Sequence, residues 1–335
     1  MVKQNAVIGL DIGHSAVKVA FVKERGGSME ARTMLFPSVV LPAFSISDDA
    51  EARRALADTV TVDGRKYFVG ETAAIQGGRN AAPSQDEEWT TKAEYKALMQ
   101  AAIHKLQAEG VLDNAVMVAM GLPTHLFGRQ RDELRKLGEE LFGLSMEIKV
   151  LPQPMGAYQF NMLDENGFPG KHRSYTEESW GVVEIGHFST DFLLMQKARW
   201  VERASGACSG VKDAADQLQK ILAEKRGITR GLLECEQALR DGTIRHFGET
   251  LEVEVQVNEA VEVLVNEIIE TATRKLDDYA AGLDGVVLAG GGASIIHTAL
   301  QEKWPHVRLV DNPRFAVSEG FRRFGQGVLN AREVS

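Results

Sequence analysis

Two short segments set a carboxylate, a glycine and hydroxyl or basic side chains close together. The first is Asp11-Ile12-Gly13-His14-Ser15-Ala16-Val17-Lys18, and the second is Glu184-Ile185-Gly186-His187-Phe188-Ser189-Thr190-Asp191. An acid at the end of an apolar strand can hold Mg²⁺, usually through water. A glycine after it lets backbone N–H groups approach phosphate oxygens, and a lysine adds a point charge. Either segment alone also suits an ordinary tight hairpin. Two of them facing across a cleft would clamp a phosphate chain and its metal from both sides, with Asp11 and Glu184 as the metal-side acids. Asp191 fits metal or water positioning and strand capping equally well.

Three further clusters could complete such a site. Gly290-Gly291-Gly292-Ala293 follows the apolar run Val286-Val287-Leu288-Ala289, and glycines there would let backbone approach a flat ring or a sugar. The run is not G-x-G-x-x-G and lacks the acid of a dinucleotide-binding unit. Gly206-Ala207-Cys208-Ser209-Gly210 precedes an amphipathic stretch and could border a ligand or be a plain loop. Gln153, set between Pro152 and Pro154, is placed to orient a water. His14 and His187 lack a third spaced ligand, so loop side chains beside phosphate are a better reading than a metal site.

The elements that would position these groups alternate. Val7-Ile8-Gly9-Leu10 and Val17-Lys18-Val19-Ala20-Phe21-Val22 flank the first segment as buried strands; Val182-Val183 and Phe192-Leu193-Leu194-Met195 flank the second. Their recurrence half a chain apart suggests a duplicated domain. Helical periodicity runs through Tyr95, Leu98, Met99, Ala102, Ile103 and Leu106 after a capping-box pattern at Thr91-Lys92-Ala93-Glu94. It recurs at Val211, Ala214, Ala215, Leu218, Ile221 and Leu222, ending near Gly227, and again at Val261, Leu264, Val265, Ile268, Ile269 and Ala272. Strands alternating with helices give an α/β class. Residues 32–88 read as a small inserted subdomain with weak order signals, and residues 161–179 as an exposed polar loop.

Composition narrows the function. The chain has 335 residues, 44% of them hydrophobic and 25% charged, with a formal net charge of −9. Nucleic-acid binders usually carry a basic face, so no direct DNA contact is expected. Two cysteines, Cys208 and Cys235, without metal spacing suit a reducing compartment. No run reaches transmembrane length and the first residues lack a secretion-type apolar core, so the expectation is a cytoplasmic protein away from membranes.

Taken in order, residues 11–18, 153–157, 184–191, 290–294 and 312–320 resemble the phosphate loops, connecting helices and adenosine loop of the actin, heat-shock ATPase and sugar-kinase superfamily. Within it the chain looks most like the ParM (StbA) group of bacterial actins. The residues carrying this are Tyr67-Phe68-Val69-Gly70-Glu71, Met120-Gly121-Leu122-Pro123, Gly206 with Gly210-Val211, Asp311-Asn312-Pro313 and Glu319-Gly320. The resemblance implies an actin-like fold of two related RNase H-like domains around a nucleotide cleft. Domain I would span residues 1–155 with the insertion at about 32–90, domain II 156–314, and 315–335 would return to domain I.

It also implies an ATPase using ATP or GTP with Mg²⁺. Gln153, Asp11 and Glu184 would be catalytic. Gly13, His14, Ser15, Lys18, Gly186, His187, Ser189, Gly206, Gly210, Gly290, Gly291, Gly292 and Ala293 would hold nucleotide, and Asp11, Glu184 and Asp191 the metal. The implied partners are further copies of the chain in a head-to-tail filament and a small basic DNA-binding adaptor linking it to plasmid DNA for segregation. A small-molecule kinase or a nucleotide-binding scaffold on the same fold are the alternatives; glutamine rather than an acid at 153 favours water as acceptor. The second loop departs from the family at Glu184, usually Asp, and at His187, where glycine is common.

Overall fold

Seven consecutive buried residues form the first strand, β1 (Ala6–Ile12), and their alternation assigns the two faces of its sheet. Ile8, Leu10 and Ile12 join one apolar core, while Val7 and Gly9 lie against the last helix of the chain. Asp11 continues that second row and ends it. The computed structural model describes residues 6–26, 28–78 and 88–334. Residues 1–5 of the N-terminal reading and 79–87 of the insertion lie outside them.

The first half continues through β2 (Ala16–Arg25) and β3 (Ser28–Pro37), a small lobe of β4 (Val40–Pro42), α1 (Asp49–Ala57), β5 (Thr59–Val62), β6 (Arg65–Val69) and α2 (Gly70–Gly77), then α3 (Ala93–Ala108), β7 (Ala115–Leu122), α4 (Thr124–Phe142) and β8 (Glu147–Pro152). Helix α5 (Gln153–Met162) leads into the second half. There follow β9 (Ser179–Ile185), β10 (Ser189–Gln196), β11 (Arg199–Trp200), β12 (Gly206–Ser209), α6 (Val211–Arg226), α7 (Leu232–Asp241), β13 (Thr243–His246), β14 (Glu249–Glu252), α8 (Glu254–Ala280), β15 (Gly285–Ala289), α9 (Ala293–Lys303), β16 (Val307–Leu309) and α10 (Ala316–Val334).

The two main sheets repeat one plan. Strand order is β3-β2-β1-β7-β8 in the first and β11-β10-β9-β15-β16 in the second, each an antiparallel hairpin followed by parallel strands. Each outer face is covered by its own helices: α3 and α4 on the first sheet, α6, α8 and α9 on the second. The inner faces are covered by the two helices that change sides. Helix α5 leaves β8 and packs on β9, β10 and β15, while α10 leaves the second half and packs on β1, β2 and β7.

These two helices also cross each other in backbone contact. A Cβ on Gly320 would lie 1.7 Å from the Gly156 carbonyl oxygen, and one on Gly9 1.8 Å from that of Ser318. Only glycine lets α10 approach both α5 and β1 so closely. A buried ion pair within α10, Arg322 on both oxygens of Glu319, holds the arginine in place to reach the Glu165 carbonyl, and Arg323 reaches that of Phe160 on α5. Residues 161–179 are consequently not a free loop. Arg323 bonds the Leu163 carbonyl and Asn330 that of Asn166, so α10 pins this irregular segment to itself.

The small lobe is also more regular than its composition suggests, with the three-stranded sheet β4-β6-β5 closed over an apolar cluster of Val39, Ala55, Phe68 and Ala73. The capping box does not form. Thr91 ends a short 3₁₀ turn and its hydroxyl bonds the Glu88 carbonyl, leaving Lys92 as the N-cap of α3. Thr91 belongs to that turn, one residue before the N-cap, so its hydroxyl is out of position to cap α3. Gly227 ends α6 in the left-handed conformation, as the sequence suggests. Among the described residues, no helix is long and apolar enough to cross a membrane.

Candidate functional site

Both carboxylates end strand rows that face the inner layer. Trp180 and Val182 of β9 pack against α5, and Glu184 is the next residue of that row, as Asp11 is on β1. The pseudo-symmetric sheets therefore aim Asp11 and Glu184 at one cleft, from opposite walls. The cleft spans about 740 Å³ of space, part of it open solvent.

Of the residues singled out from sequence, Asp11, Gly13, His14, Ser15, Lys18, Gln153, Glu184, Gly186, His187, Ser189, Gly291 and Gly292 line it. On the first wall, Lys18 Nζ lies 2.8 Å from Asp11 Oδ2, and Gln153 Nε2 donates to Asp11 Oδ1 at 2.8 Å. Gln153 is the first residue of α5, so the helix that joins the halves begins on the metal-side acid. On the second wall Glu184 is buried. Burial, then the charges of Asp191 and Asp11, push its carboxyl well above the ordinary range, and Lys18 only partly opposes them.

Gly290 lies behind the lining at φ +92°, its N–H bonding the Pro313 carbonyl. A Cβ there would meet the Ile185 carbonyl at 2.3 Å, whereas Gly291 has open space before it. The turn thus exposes bare backbone at the mouth of α9.

Other expected residues stand behind this surface. Gly210 is the N-cap of α6 and packs against the backbone of His187 and Phe188, so it shapes the second loop from beneath. Ala293 is the buried start of α9. Gly206 lies beside Lys275, on strand β12, away from the cleft lining. Asp191 stands behind the lining. It is fully buried, with Oδ2 bonded by Ser189 Oγ at 2.6 Å and Oδ1 by the backbone N–H of Thr124 at 2.5 Å. Each oxygen accepts from a protein donor, one of them the Thr124 N–H at the N-terminus of α4 in the other half, so Asp191 also anchors the two halves to each other.

Phe188, which the second motif contains without a role assigned to it, also lines the cleft, as do Glu236, Arg240 and Arg314, which no motif marks. Glu236 is buried on α7 and ties both loops together, accepting from Ser15 Oγ at 3.0 Å and lying 2.5 Å from His187 Nδ1. His14 stacks on Phe188 across the halves, centroids 4.6 Å apart. The available signal was an acid on the apolar face of α7, next to buried Cys235 and Leu239.

The donor set constrains any metal. Among the described residues, no group of three or more His, Cys, Asp or Glu side chains could grip a metal ion. Two acids with a raised carboxyl and open space between the walls instead fit a hydrated divalent cation carried in with phosphate.

Comparison with known proteins agrees with this architecture. The family model "Actin like proteins N terminal domain" matches residues 9–156, and "Archaeal actin homologue MreB-like, C-terminal" matches residues 182–302. No curated protein sequence matches the chain. Among solved structures, the archaeal actin homolog Ta0583 superposes with a TM-score of 0.70 at 20% identity, covering 98% of this chain and 100% of its own. A 15-stranded ParM filament from Clostridium botulinum gives 0.66 at 17%, covering 96% and 99%. MreB5 of Spiroplasma citri bound to ADP gives 0.68 at 14%, covering 99% and 100%.

Proposed function

Because the chain belongs to the actin-like proteins, with an actin-like N-terminal and an MreB-like C-terminal domain, we propose that it is an ATPase that assembles into filaments. The observation that carries this reading is the convergence of Lys18, Asp11 and Gln153 from one half with Glu184 and Gly186 from the other in a single cleft. The two halves meet there over crossing helices whose start, Gln153, touches the reacting region.

In this reading Lys18 and the backbone of both loops hold the phosphates, and Gly291 and Gly292 flank the base and sugar. Gln153 orients the attacking water, with its amide nitrogen already spent on Asp11. Asp11 and Glu184 would hold Mg²⁺ through water, which supplies positive charge against the phosphates. Bound ADP in the MreB5 structure and the filament formed by the Clostridium botulinum ParM support carrying nucleotide and self-assembly over to this chain. As cargo we propose plasmid DNA, reached through a small basic adaptor because the chain itself is acidic.

Light scattering of the purified chain tests the reading. ATP with Mg²⁺ is expected to drive cooperative assembly above a critical concentration, followed by decay as ATP is consumed; a slowly hydrolysed analogue is expected to hold the plateau. A chain that stays monomeric over a wide range of concentration and salt, yet phosphorylates a small alcohol or acid, would be a kinase instead.

A further inference from the structure

We propose that the Glu236 carboxylate competes with the phosphates of the nucleotide for one partner in each phosphate loop, and turns to Arg240 and Arg314 when phosphate takes its place. The inference rests on the nucleotide cleft proposed above and gives a role to an acid that neither loop contains.

Helix α7 belongs to the second half, yet one stripe of it faces the first. Leu233, Glu236 and Arg240 follow one another at spacings of three and four, so they share a face. Leu233 packs against the apolar cluster of the small lobe around Phe68 and Ala73. One turn on, Glu236 is buried beside the phosphate loops, and Arg240 lines the cleft beyond it. The Leu233 contact thus brings α7 up to the first half and delivers a carboxylate between the two loops.

The contacts Glu236 makes there are those a phosphate would make. Ser15 Oγ donates to Glu236 Oε2 at 3.0 Å, and His187 Nδ1 lies 2.5 Å from Oε1. Ser15 comes from the loop that starts at Asp11 and His187 from the loop that starts at Glu184, so one anion bridges both walls. Groups that donate to a carboxylate donate equally to phosphate oxygens. The one hydroxyl proton of Ser15 cannot serve both anions at once, and like charges in the same space repel. His187 Nε2 is buried without a hydrogen-bond partner among the described residues, a cost that a phosphate oxygen would remove.

Release does not strand the acid. A buried carboxylate that loses its donors is costly unless a cation is at hand, and here two are. Arg240 Nη1 stands 4.0 Å from Glu236 Oε2. Burial and then Arg240 lower the proton affinity of the Arg314 guanidinium, and Glu236 opposes them. Two cations that already repel each other in the cleft wall favour an anion that turns toward them.

Titration calorimetry with inorganic tripolyphosphate and Mg²⁺, a probe without base or sugar, separates competition from direct contact. Glu236→Gln keeps the shape and removes the charge, and it is expected to tighten tripolyphosphate binding about tenfold. The gain should vanish in the Ser15→Ala background, where the contested proton is already gone. Leu233→Ala loosens α7 from the small lobe and leaves Glu236 itself unchanged, so it should give a smaller gain of about threefold. That arm decides the matter should Glu236→Gln fail to fold. Unchanged or weaker tripolyphosphate binding in folded Glu236→Gln, or no gain in Leu233→Ala, would overturn the competition. So would a gain of equal size with and without Ser15, which would be a charge effect at a distance. Weaker ATP binding with unchanged tripolyphosphate binding would overturn it as well, making Glu236 a contact to base or sugar. Each of these outcomes leaves the nucleotide reading intact, whereas an unmodified chain that binds neither ATP nor tripolyphosphate would remove both.

Discussion

The two carboxylate–glycine hairpins share one register and differ in charge. Asp11 sits across from Lys18 on β1 and β2, while Glu184 sits across from Asp191 on β9 and β10. In the first half the cross-strand partner is a cation at 2.8 Å. In the second it is another acid, and like charges directly opposite in an antiparallel pair repel. The first hairpin is therefore electrostatically complete within its own half. The second is relieved within its half only by Ser189 Oγ on Asp191, and the rest comes from outside: the Thr124 N–H of the other half on Asp191, and Lys18 in part on Glu184. Duplication preserved the backbone plan and changed which half needs its neighbour. Joining the halves, and adding a hydrated cation between them, both relieve the same pair.

The sharpest way to break that comparison is at Asp11. Asp11→Ala removes the acid that organises Lys18 and Gln153, and it is expected to lower ATP hydrolysis by about a thousandfold or more. The fold should survive, because Lys18 is partly exposed and can turn to water. Circular dichroism with a steady-state ATPase assay checks both halves of the statement. Normal turnover in a folded variant would remove the assignment of this cleft as the reaction centre.

Gln153 comes next in size. If its amide orients water while resting on Asp11, Gln153→Ala should cut turnover about a hundredfold, the lower end for a positioned catalytic group. Nucleotide affinity, measured by calorimetry, should hardly change. Equal losses in both would make Gln153 a structural part of the α5 start instead.

What sequence could reveal follows from how local each feature is. The hairpin motifs, the glycine turn at 290–292 and Gln153 are each encoded within a few adjacent residues, so spacing alone marks them. The α/β alternation was legible for the same reason, whereas the actin-like fold was legible only through the family resemblance that these pieces carry in order. Glu236 was not, because its partners Ser15 and His187 lie 221 and 49 positions away and nothing nearby on α7 announces a site. The role of Asp191 depends on a backbone N–H 67 positions upstream. Gly206 illustrates the converse: a small-residue loop before a helix reads like a ligand border, yet here it pairs in the sheet through Phe192. The β13–β14 hairpin is short, with Ile244 and Leu251 as its one apolar cross-strand pair, and carries too little periodicity to stand out.

The smallest effect should be the most diagnostic of the asymmetry, and it concerns Glu184. Its carboxyl is raised in the folded state by burial and by Asp191 and Asp11, relative to its value in the unfolded chain. A carboxyl that binds its proton more tightly when folded costs stability as pH rises from the ordinary carboxylate range through the folded value. Glutamine keeps the shape and cannot ionise. Glu184→Gln should therefore raise the melting temperature by a few degrees at neutral pH without nucleotide, and the gain should shrink toward zero as pH falls into the ordinary carboxylate range. Asp11 provides the control: Asp11→Asn discards a built-in ion pair and should lower the melting temperature where Glu184→Gln raises it. Mg²⁺ with nucleotide should reverse the order for Glu184, because a cation near the acid favours its ionised form and the glutamine variant forgoes that gain. Differential scanning calorimetry from acid to neutral pH, with and without nucleotide and Mg²⁺, reads all of these signs. If the two variants shift together, in the same direction and with the same pH dependence, the hairpins are electrostatically equivalent and the asymmetry has no energetic content.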